Sequence, residues 1–375
     1  MKFETTTFRF EDLTLNFDKQ RIPLSSGQRE NRQGQYRYYG AQGVIDYVDD
    51  YIFDGKYLLI AEDGENLKSK KQDIAQIVEG KFWVNNHAHV VQGNALCLTE
   101  YLCYLLNHND LSGYITGSAQ PKLSQANLNA IAFDVPSIET QQKIVSIISA
   151  LDEKIAINRA INDNLLQQLH MLYSQLFCDS DMDTLLGDVV VTKSGGTPSR
   201  KHNEYYSNSL ICWVKSKELL GNYIYETEEH INDLAINKSS AKLLPEHSIL
   251  IAMYGATVGA YGIISKSMTC NQAVCALLCN EDYPYTYLFQ LAHESQQRLI
   301  NLAVGSAQQN ISQVLIKQLT IHSNLNAIQK FHALALPLHR EIESLQAENI
   351  RLLSLRDTLL PKLMSGEIDV SAVKL

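Results

Sequence analysis

Two long segments of the chain carry apolar residues at the alternating four- and three-residue spacing that is typical of a coiled-coil helix. In the first segment the spaced positions are Ile144, Ile148, Leu151, Ile155, Asn158, Asn162, Leu165, Leu169, Leu172 and Leu176. In the second they are Phe331, Ala335, Leu338, Ile342, Leu345, Asn349, Leu352, Arg356, Leu359 and Leu363. Each member of the second series lies 187 residues after its counterpart. The chain therefore repeats one helical pattern, and we predict that the two helices pair, with the equivalent polar positions Asn162 and Asn349 setting the register.

The repetition extends upstream of the helices. The motif "GSAQ" occurs at 117–120 and again at 305–308, and each copy precedes a short extended segment, at 130–137 and 318–325. Further upstream, "YLLIA" (57–61) resembles "SILIA" (248–252), and both are typical of short buried strands. The pattern predicts two globular α/β domains, each followed by a long helix.

The composition and charge of the chain are those of an ordinary globular protein. The 375 residues are 45% hydrophobic and 19% charged, with a net charge of −9. No apolar run is long enough to span a membrane. Acidic residues interrupt the N-terminal segment where a signal peptide needs an apolar core, and the seven irregularly spaced cysteines are typical of reduced thiols. We therefore expect a cytoplasmic protein with no membrane partner.

Within this acidic chain, each half contains one basic stretch. Residues 19–37 hold five cations against Glu30, and residues 193–217 hold five against Glu204. Both stretches also contain tyrosines, glycines and hydroxyl or amide side chains, in "GQYRYYGAQG" (34–43) and "SGGTPSRKHNEYY" (194–206). Lysine and arginine neutralise phosphates, and amide and guanidinium groups read base edges. Solvated loops and buried amide networks are the alternative interpretations of these stretches.

Motifs for catalysis are absent from the sequence. The glycine-rich "GATVGAYG" (255–262) lacks the lysine of a phosphate-binding loop and is typical of a tight turn between strands. Neither a dinucleotide-binding fingerprint nor the Asn-Pro-Pro-aromatic motif of adenine methyltransferases occurs. His87 and His89 have a spacing that could ligate a metal, but alternation along a strand explains them as well, and the three cysteines between 270 and 279 lack the paired spacing of a zinc site. We predict a chain without a catalytic site, metal or cofactor.

Four segments resemble the specificity (S) subunit of type I restriction–modification systems: "YYGAQGVIDYVDDYIFDGKYLLIAEDGENL" (38–67), "QQKIVSIISALDEKIAINRAINDNL" (141–165), "SGGTPSR" (194–200) and "LLPKLMSGEIDV" (359–370). The resemblance covers essentially the whole chain. It implies an α+β protein with target-recognition domains at 1–136 and 183–323. The spacer helices at 137–178 and 326–365 are expected to form an antiparallel coiled coil, which gives the internal repeat a pseudo-twofold axis.

The same resemblance implies a non-catalytic subunit that recognises a bipartite site in double-stranded DNA, one half per domain. Its expected partners are two modification (methyltransferase) subunits, which bind S-adenosylmethionine and methylate adenine, and the restriction (nuclease/translocase) subunits. A coiled-coil scaffold and a self-contained DNA-modifying enzyme are the alternative hypotheses.

One departure from the family pattern affects the choice of DNA-binding candidates. The first half lacks the "SGGTP" loop and has "RIPLSSGQREN" (21–31) instead. Recognition domains differ because each reads different DNA, so regions carry over and individual base-reading residues do not. The candidates are Arg32, Arg37, Tyr38, Tyr39 and Gly40 in the first domain, and Gly195, Gly196, Thr197, Arg200, Lys201, Lys215, Tyr254 and Thr257 in the second.

Overall fold

A computed structural model of the protein describes residues 3–69, 72–117, 120–178, 181–303 and 310–374. The chain divides into two compact units: Met1–Lys154 with Leu352–Leu375, and Ile155–Arg351. Each unit is a mixture of helices and sheets, in agreement with the predicted α+β class. Each also contains one part of both long helices.

The first unit is built on a six-stranded sheet. Its elements in chain order are β1 (Thr5–Arg9), α1 (Phe10–Leu13), β2 (Thr14–Asn16), α2 (Ser26–Glu30), β3 (Gln33–Gly40), β4 (Gly43–Val48), β5 (Phe53–Ala61), α3 (Asn66–Ser69), β6 (Ala75–Val84), β7 (Ala88–Gly93), α4 (Thr99–His108), α5 (Gln125–Ala130), β8 (Ala132–Pro136) and the start of α6 (Ile138–Phe177). The strand order is β2-β7-β5-β6-β3-β4, and only the β3–β6 pairing is parallel. Strands β1 and β8 form a separate antiparallel pair beside the start of α6.

Both faces of this sheet are covered by apolar side chains. The run "LLIA" at the end of β5 is fully buried, which is typical of a strand with a core on each side. Helix α4 covers one face with side chains at helical spacing, among them Tyr101 and Leu105. On the other face Phe53 stacks on Phe82 with ring centroids 5.4 Å apart. Burying each such side chain contributes about 1.5–3 kcal/mol, so these contacts hold the sheet's shape.

The second unit contains a five-stranded and a three-stranded sheet. Its elements are β9 (Thr184–Leu185), α7 (Leu186–Val189), β10 (Val191–Ser194), β11 (Ile211–Val214), β12 (Tyr223–Ile224), β13 (His230–Ile231), α8 (Asp233–Lys238), β14 (Ile249–Ala252), β15 (Tyr261–Ile264), β16 (Thr269–Cys270), β17 (Val274–Leu278), α9 (Tyr285–Leu302), α10 (Gln313–Lys317), β18 (Thr320–Ile321) and α11 (Leu325–Met364). The sheet orders are β10-β17-β14-β15-β12 and β13-β11-β16, and β9 pairs with β18. Helix α9 packs against β14 and β15.

The two long helices pair within each unit, as the periodicity predicts, and they pair in antiparallel fashion, as the resemblance to the S-subunit family implies. In the second unit Asn158 of α6 contacts Asn349 of α11, whereas Tyr173, farther along α6, packs against Phe331, nearer the start of α11. In the first unit Asp152 of α6 accepts a hydrogen bond from Arg356 of α11 at 3.0 Å, whereas Lys143, nearer the start of α6, donates to the carbonyl of Ser371, beyond the end of α11. Helix direction along α6 therefore runs against helix direction along α11 in both units.

Equivalent positions of the repeated pattern occupy equivalent environments. Ile144 and Ile148 are fully buried in the main core of the first unit, together with Leu363. Their counterparts Phe331 and Ala335 are fully buried in the main core of the second unit. The internal repeat is therefore a repeat of packing as well as of sequence.

The asparagine contact differs from the expected one. Nδ2 of Asn158 donates to Oδ1 of Asn349 at 3.0 Å and to Oε2 of Glu348 at 2.7 Å. Asn162 is also buried, but its Oδ1 has no hydrogen-bond partner in the part of the chain that the structure describes. In an antiparallel pair of helices, two repeat-equivalent residues face each other only where the local twofold axis crosses the pair. Asn349 therefore contacts Asn158, which lies one helical turn before Asn162, the repeat equivalent of Asn349.

Only part of the repeated "GSAQ" motif lies within the described residues. Gly117 adopts a φ of 84°, and a Cβ there would lie 2.2 Å from the carbonyl oxygen of Gln120, so a tight turn requires glycine at this position. Ser118, Ala119 and the whole second copy lie outside the described residues. The shared role of the two copies as joints stays a prediction.

A buried histidine on α11 makes the stability of the second unit sensitive to pH. His339 is fully buried, with Nδ1 3.1 Å from the Tyr223 hydroxyl and its ring edge-on to Phe289. Burial lowers the pKa of His339 to about 3. In the unfolded chain a histidine titrates near 6.5. Between these values the unfolded state binds a proton that the folded state does not, so stability falls as the pH falls below about 6.5.

We therefore expect wild-type protein to lose about 2 kcal/mol more stability than His339→Gln between about pH 7.5 and pH 5. Urea unfolding at a series of pH values measures the difference. His202→Gln, at an exposed histidine that pairs with Glu204, is the control and should follow the wild type. Identical pH slopes for wild type and His339→Gln would contradict the assignment.

Candidate nucleic-acid interface

Three of the five cations in the basic stretch of the first domain pair with acids from elsewhere in the chain. Arg29 pairs with Asp46 at 2.9 Å, and Arg32 pairs with Asp49 at 2.9 Å. Arg21 lies 3.1 Å from Glu62 and also hydrogen-bonds the carbonyl of Ala88. The greater part of this run of cations is thus held in ion pairs, which reduces the positive potential that the stretch offers to DNA.

The five first-domain candidates fall into two groups. Arg32 is partly exposed, with its guanidinium 4.8 Å from the Trp83 ring centroid, and Arg37 donates to the carbonyl of Glu79 at 2.8 Å. Both are positioned at the surface by strand β3 and its start. The structure places Tyr38, Tyr39 and Gly40 in the core instead.

The two tyrosine rings have structural partners. The Tyr38 hydroxyl accepts a hydrogen bond from the backbone N–H of Leu24 at 2.8 Å. Tyr39 packs edge-on against Phe82 at 5.7 Å, and burial raises the pKa of its hydroxyl. Successive residues of a strand usually face opposite sides of a sheet, and here both sides are cores, so neither ring face is open to a base.

In the second domain, Gly195 and Gly196 hold the loop between β10 and β11, here called the recognition loop, tightly against the three-stranded sheet. A Cβ on Gly195 would lie 2.1 Å from the carbonyl oxygen of Asn271, and one on Gly196 would lie 2.3 Å from the carbonyl carbon of Ser240. The N–H of Gly196 donates to the Cys270 carbonyl, and its own carbonyl accepts from the Trp213 indole at 3.0 Å. These glycines are required by close backbone packing.

The recognition loop and the residue that follows β11 place two cations around one indole ring. The guanidinium of Arg200 lies 4.3 Å from the Tyr206 ring centroid and 5.5 Å from that of Trp213. The Lys215 ammonium, just after β11, lies 5.8 Å from the same indole. Arg200 keeps 58% of its side chain exposed, which leaves it accessible to a phosphate. Cation–π contacts of this kind orient the charged groups.

Acidic residues of the segment 226–229 hold these cations. Glu229 pairs with both Arg200 and Lys215, and Glu228 lies 3.5 Å from Lys215 and also pairs with Lys217. The hydrogen bond from Lys215 lowers the pKa of Glu229, and the same bond raises the pKa of Lys215. Cations and carboxylates therefore alternate through this cluster, and its net charge is small.

The remaining second-domain candidates are dispersed. The Thr197 hydroxyl donates to the side-chain oxygen of Gln272, and Lys201 is exposed without an ion-pair partner in the described part of the chain. Tyr254 is 41% exposed beside a short turn, where the Thr257 hydroxyl donates to its carbonyl at 3.1 Å. The structure thus brings Arg200 and Lys215 together through Glu229, and it places Tyr254 and Thr257 on a separate loop.

Trp213, Glu228 and Glu229 belong to this cluster, and the sequence did not indicate them. Trp213 lies on β11 and Glu229 just before β13, and these strands pair with Cys212 opposite His230. That pairing brings "ETEE" beside the recognition loop. The acidic run "ETEE" is visible in the sequence, but its strand partner is not.

The geometry describes a surface with exposed, aromatic-supported cations on a rigid loop, and comparisons with known proteins identify its class. A model of the type I restriction modification DNA specificity domain matches residues 4–167 and again residues 182–344. A putative type I restriction enzyme specificity subunit of Haemophilus influenzae is 37% identical over 131 residues, which covers 35% of this chain and 33% of that protein. The MjaIX specificity subunit of Methanocaldococcus jannaschii is 27% identical over 305 residues, covering 73% and 70% of the two chains.

A longer alignment relates the chain to the HindI specificity subunit of Haemophilus influenzae, at 23% identity and with 89% and 88% of the two chains covered. Among solved structures, the S subunit of a type I restriction–modification system from M. genitalium shares the fold, with a TM-score of 0.60, 14% identity and 96% of both chains covered.

The duplicated match and the shared fold define a protein that recognises DNA sequence as a subunit of a larger system. The chain belongs to the family of type I restriction–modification DNA specificity domains, and its role is recognition and not catalysis. The matches support neither a scaffold without a DNA role nor a self-contained enzyme. Across the described ranges, none of the helices has the length and apolar character needed to cross a membrane.

The packing of the glycine pair gives a direct test of the recognition loop's base. Gly196→Ala should destabilise the second domain by about 1–3 kcal/mol, because the new methyl group overlaps backbone atoms that cannot move aside. Thermal unfolding followed by tryptophan fluorescence measures the loss. Gly27→Ala is the matched control, since a Cβ there meets no atom within 4 Å. Equal melting temperatures for the two variants would show that the loop is not fixed in this way.

Proposed function

We propose that this chain reads a bipartite DNA site, with one half-site bound by each globular domain and the paired helices setting the spacer between them. The observation that carries the proposal is the double match of one DNA-specificity domain along one chain. Two copies of one recognition domain, joined to long helices, suit a DNA target that consists of two separated half-sites.

The same proposal includes the partners. The chain acts with two modification subunits, which carry S-adenosylmethionine and methylate adenine, and with restriction subunits that supply nuclease and translocase activity. The cytoplasm is the proposed compartment, because the seven cysteines, which all lie in the described part of the chain, form no disulfide bond.

Methylation mapping tests this function. A complex of this chain with its modification subunits should methylate adenines in one bipartite sequence, and the modification subunits alone should not. Inserting one heptad into both α6 and α11 should lengthen the spacer and leave both half-sites unchanged. Methylation that does not depend on the chain would refute the recognition role, whereas an unchanged spacer would refute only the measuring role of the helices.

At the second domain, we propose that Arg200, Lys201 and Lys215 contact phosphates. Support comes from the exposure of Arg200 and Lys201 and from the aromatic groups that orient Arg200 and Lys215. On binding, phosphate oxygens replace the carboxylate of Glu229 as the partners of Arg200 and Lys215. In the free protein, Glu229 thus holds Arg200 and Lys215 in ion pairs until phosphate takes its place.

Replacing Arg200 and Lys201 with alanine should weaken DNA binding for all sequences alike. It should also reduce the slope of log K against log salt by up to about 1.8, because each phosphate contact contributes about 0.9. Fluorescence anisotropy of the assembled methyltransferase on labelled duplexes at several salt concentrations measures both quantities.

Two further variants sharpen that experiment. Glu229→Gln removes the competing charge and should tighten binding by about two- to fivefold, the equivalent of about 0.4–1 kcal/mol for an exposed ion pair. Lys330→Ala, at an exposed lysine on α11, should leave the salt slope unchanged. If Arg200→Ala/Lys201→Ala binds with wild-type affinity and slope, this loop does not contact phosphate.

A further inference from the structure

Three side chains with metal-binding donors converge on the surface between α6 and α9, within the second unit. They are His170 of α6 and His293 and Glu294 of α9, and one donor atom from each lies within 4.8 Å of the others. Nδ1 of His170 is 2.8 Å from Oε1 of Glu294, and the two imidazole rings have centroids 6.0 Å apart. No part of the proposed DNA-binding surface uses these residues.

Two neighbouring side chains orient the donors. Oε1 of Glu294 accepts a hydrogen bond from Nε2 of Gln290 at 2.7 Å, one helical turn earlier on α9. The Tyr261 hydroxyl lies 2.8 Å from Nδ1 of His293. A hydroxyl that accepts the Nδ1 proton leaves Nε2 of the ring as the free ligand atom. Such outer hydrogen bonds are the usual supports of histidine and carboxylate ligands.

The donor set selects a class of ion. Two imidazole nitrogens and one carboxylate oxygen suit Zn²⁺, whereas Mg²⁺ and Ca²⁺ prefer oxygen ligands alone. Bond lengths of about 2.0–2.2 Å place the donor atoms of a tetrahedral zinc site about 3.3 Å apart. The side chains of His170 and Glu294 are 50% and 30% exposed, so they have the freedom to reach that separation. A cavity of about 250 Å³, lined by both histidines, gives water access to a fourth position.

Two other donor groups occur among the described residues and are weaker sites. In the group of Cys212, Glu226 and His230, the Lys266 ammonium lies 3.5 Å from the Glu226 carboxylate and disfavours a cation. In the group of Glu246, His247 and Glu343, the single imidazole is stacked on the Tyr285 ring at 4.3 Å. Within the described ranges, Glu294 forms an ion pair only with His170.

We propose that His170, His293 and Glu294 bind one Zn²⁺ ion, which links the spacer helix α6 to helix α9 of the second recognition domain. The ion replaces the hydrogen bond between His170 and Glu294 with coordinate bonds to the same two side chains. The link joins two helices that also meet through aromatic ring contacts such as that between Tyr173 and Tyr287. Zinc binding therefore stabilises the docking of the recognition domain on its helix.

The experiment uses the full chain, freed of metal with a chelator and titrated with Zn²⁺ alone by calorimetry. Wild-type protein should bind one ion with high occupancy and show a higher melting temperature with Zn²⁺ than without it. His170→Gln and Glu294→Gln should each weaken binding by at least about tenfold and remove most of the thermal shift. Tyr261→Phe, which keeps the ring and removes the supporting hydroxyl, should give a smaller loss of affinity.

Control variants separate this site from the other donors. His202→Gln removes an exposed histidine of the same unit, and Cys212→Ser removes the thiol of the second group; both should bind Zn²⁺ like the wild type. With Co²⁺ as a spectroscopic probe, the proposed site should lack a thiolate charge-transfer band. Wild-type affinity in both His170→Gln and Glu294→Gln, or loss of binding in Cys212→Ser alone, would overturn the proposal. Circular dichroism of each variant confirms that it is folded.

Discussion

The structure depends on the burial of one apolar stripe along each of two 40-residue helices. An isolated helix cannot bury such a stripe, and its stability in a protein comes from tertiary packing. Here α6 and α11 bury their stripes against each other and against the sheets and helices of each unit. Ile144 and Leu363 complete one main core, and Leu169 and Phe331 complete the other. Each recognition domain therefore needs residues from both long helices, although these are far apart in the chain.

The same architecture accounts for how an acidic protein of net charge −9 serves a polyanionic ligand. Its arginines and lysines are not spread over an open basic face. Arg29 and Arg32 are held by aspartates of the first domain, and Arg200 by a glutamate of the second. A cation that is held in an ion pair exchanges its carboxylate for a phosphate only where a phosphate lies close enough to replace it. The position of the phosphate, and not overall attraction, therefore decides the contact. This arrangement favours selectivity over general affinity for DNA.

Periodicity was enough to predict the two helices, their pairing and the internal repeat, because a stripe that keeps one period over about 35 residues is compatible only with a long amphipathic helix. The residues of the candidate site were harder to predict from the sequence. Tyr38 and Tyr39 look like surface aromatics in sequence, but their strand lies between two cores. The partnership of Arg200 with Glu229, and of Asn158 with Asn349, depends on which residues meet across strands and helices. Such contacts link distant parts of the chain, and local spacing carries no signal for them.

The glycine pair at the base of the recognition loop bears on how a new specificity arises. Gly195 and Gly196 fix the loop through contacts to backbone atoms of Asn271, Cys270 and Ser240, and backbone atoms are common to all residue types. The base of the loop is thus held independently of the side chains that follow it. Exposed residues of the loop, such as Lys201, can vary while this anchor stays in place, whereas Tyr205 is buried in the core beside Trp213. A change of target by exchange of the exposed residues alone therefore requires no rebuilding of the domain beneath them, and this part of the loop can evolve as a replaceable part.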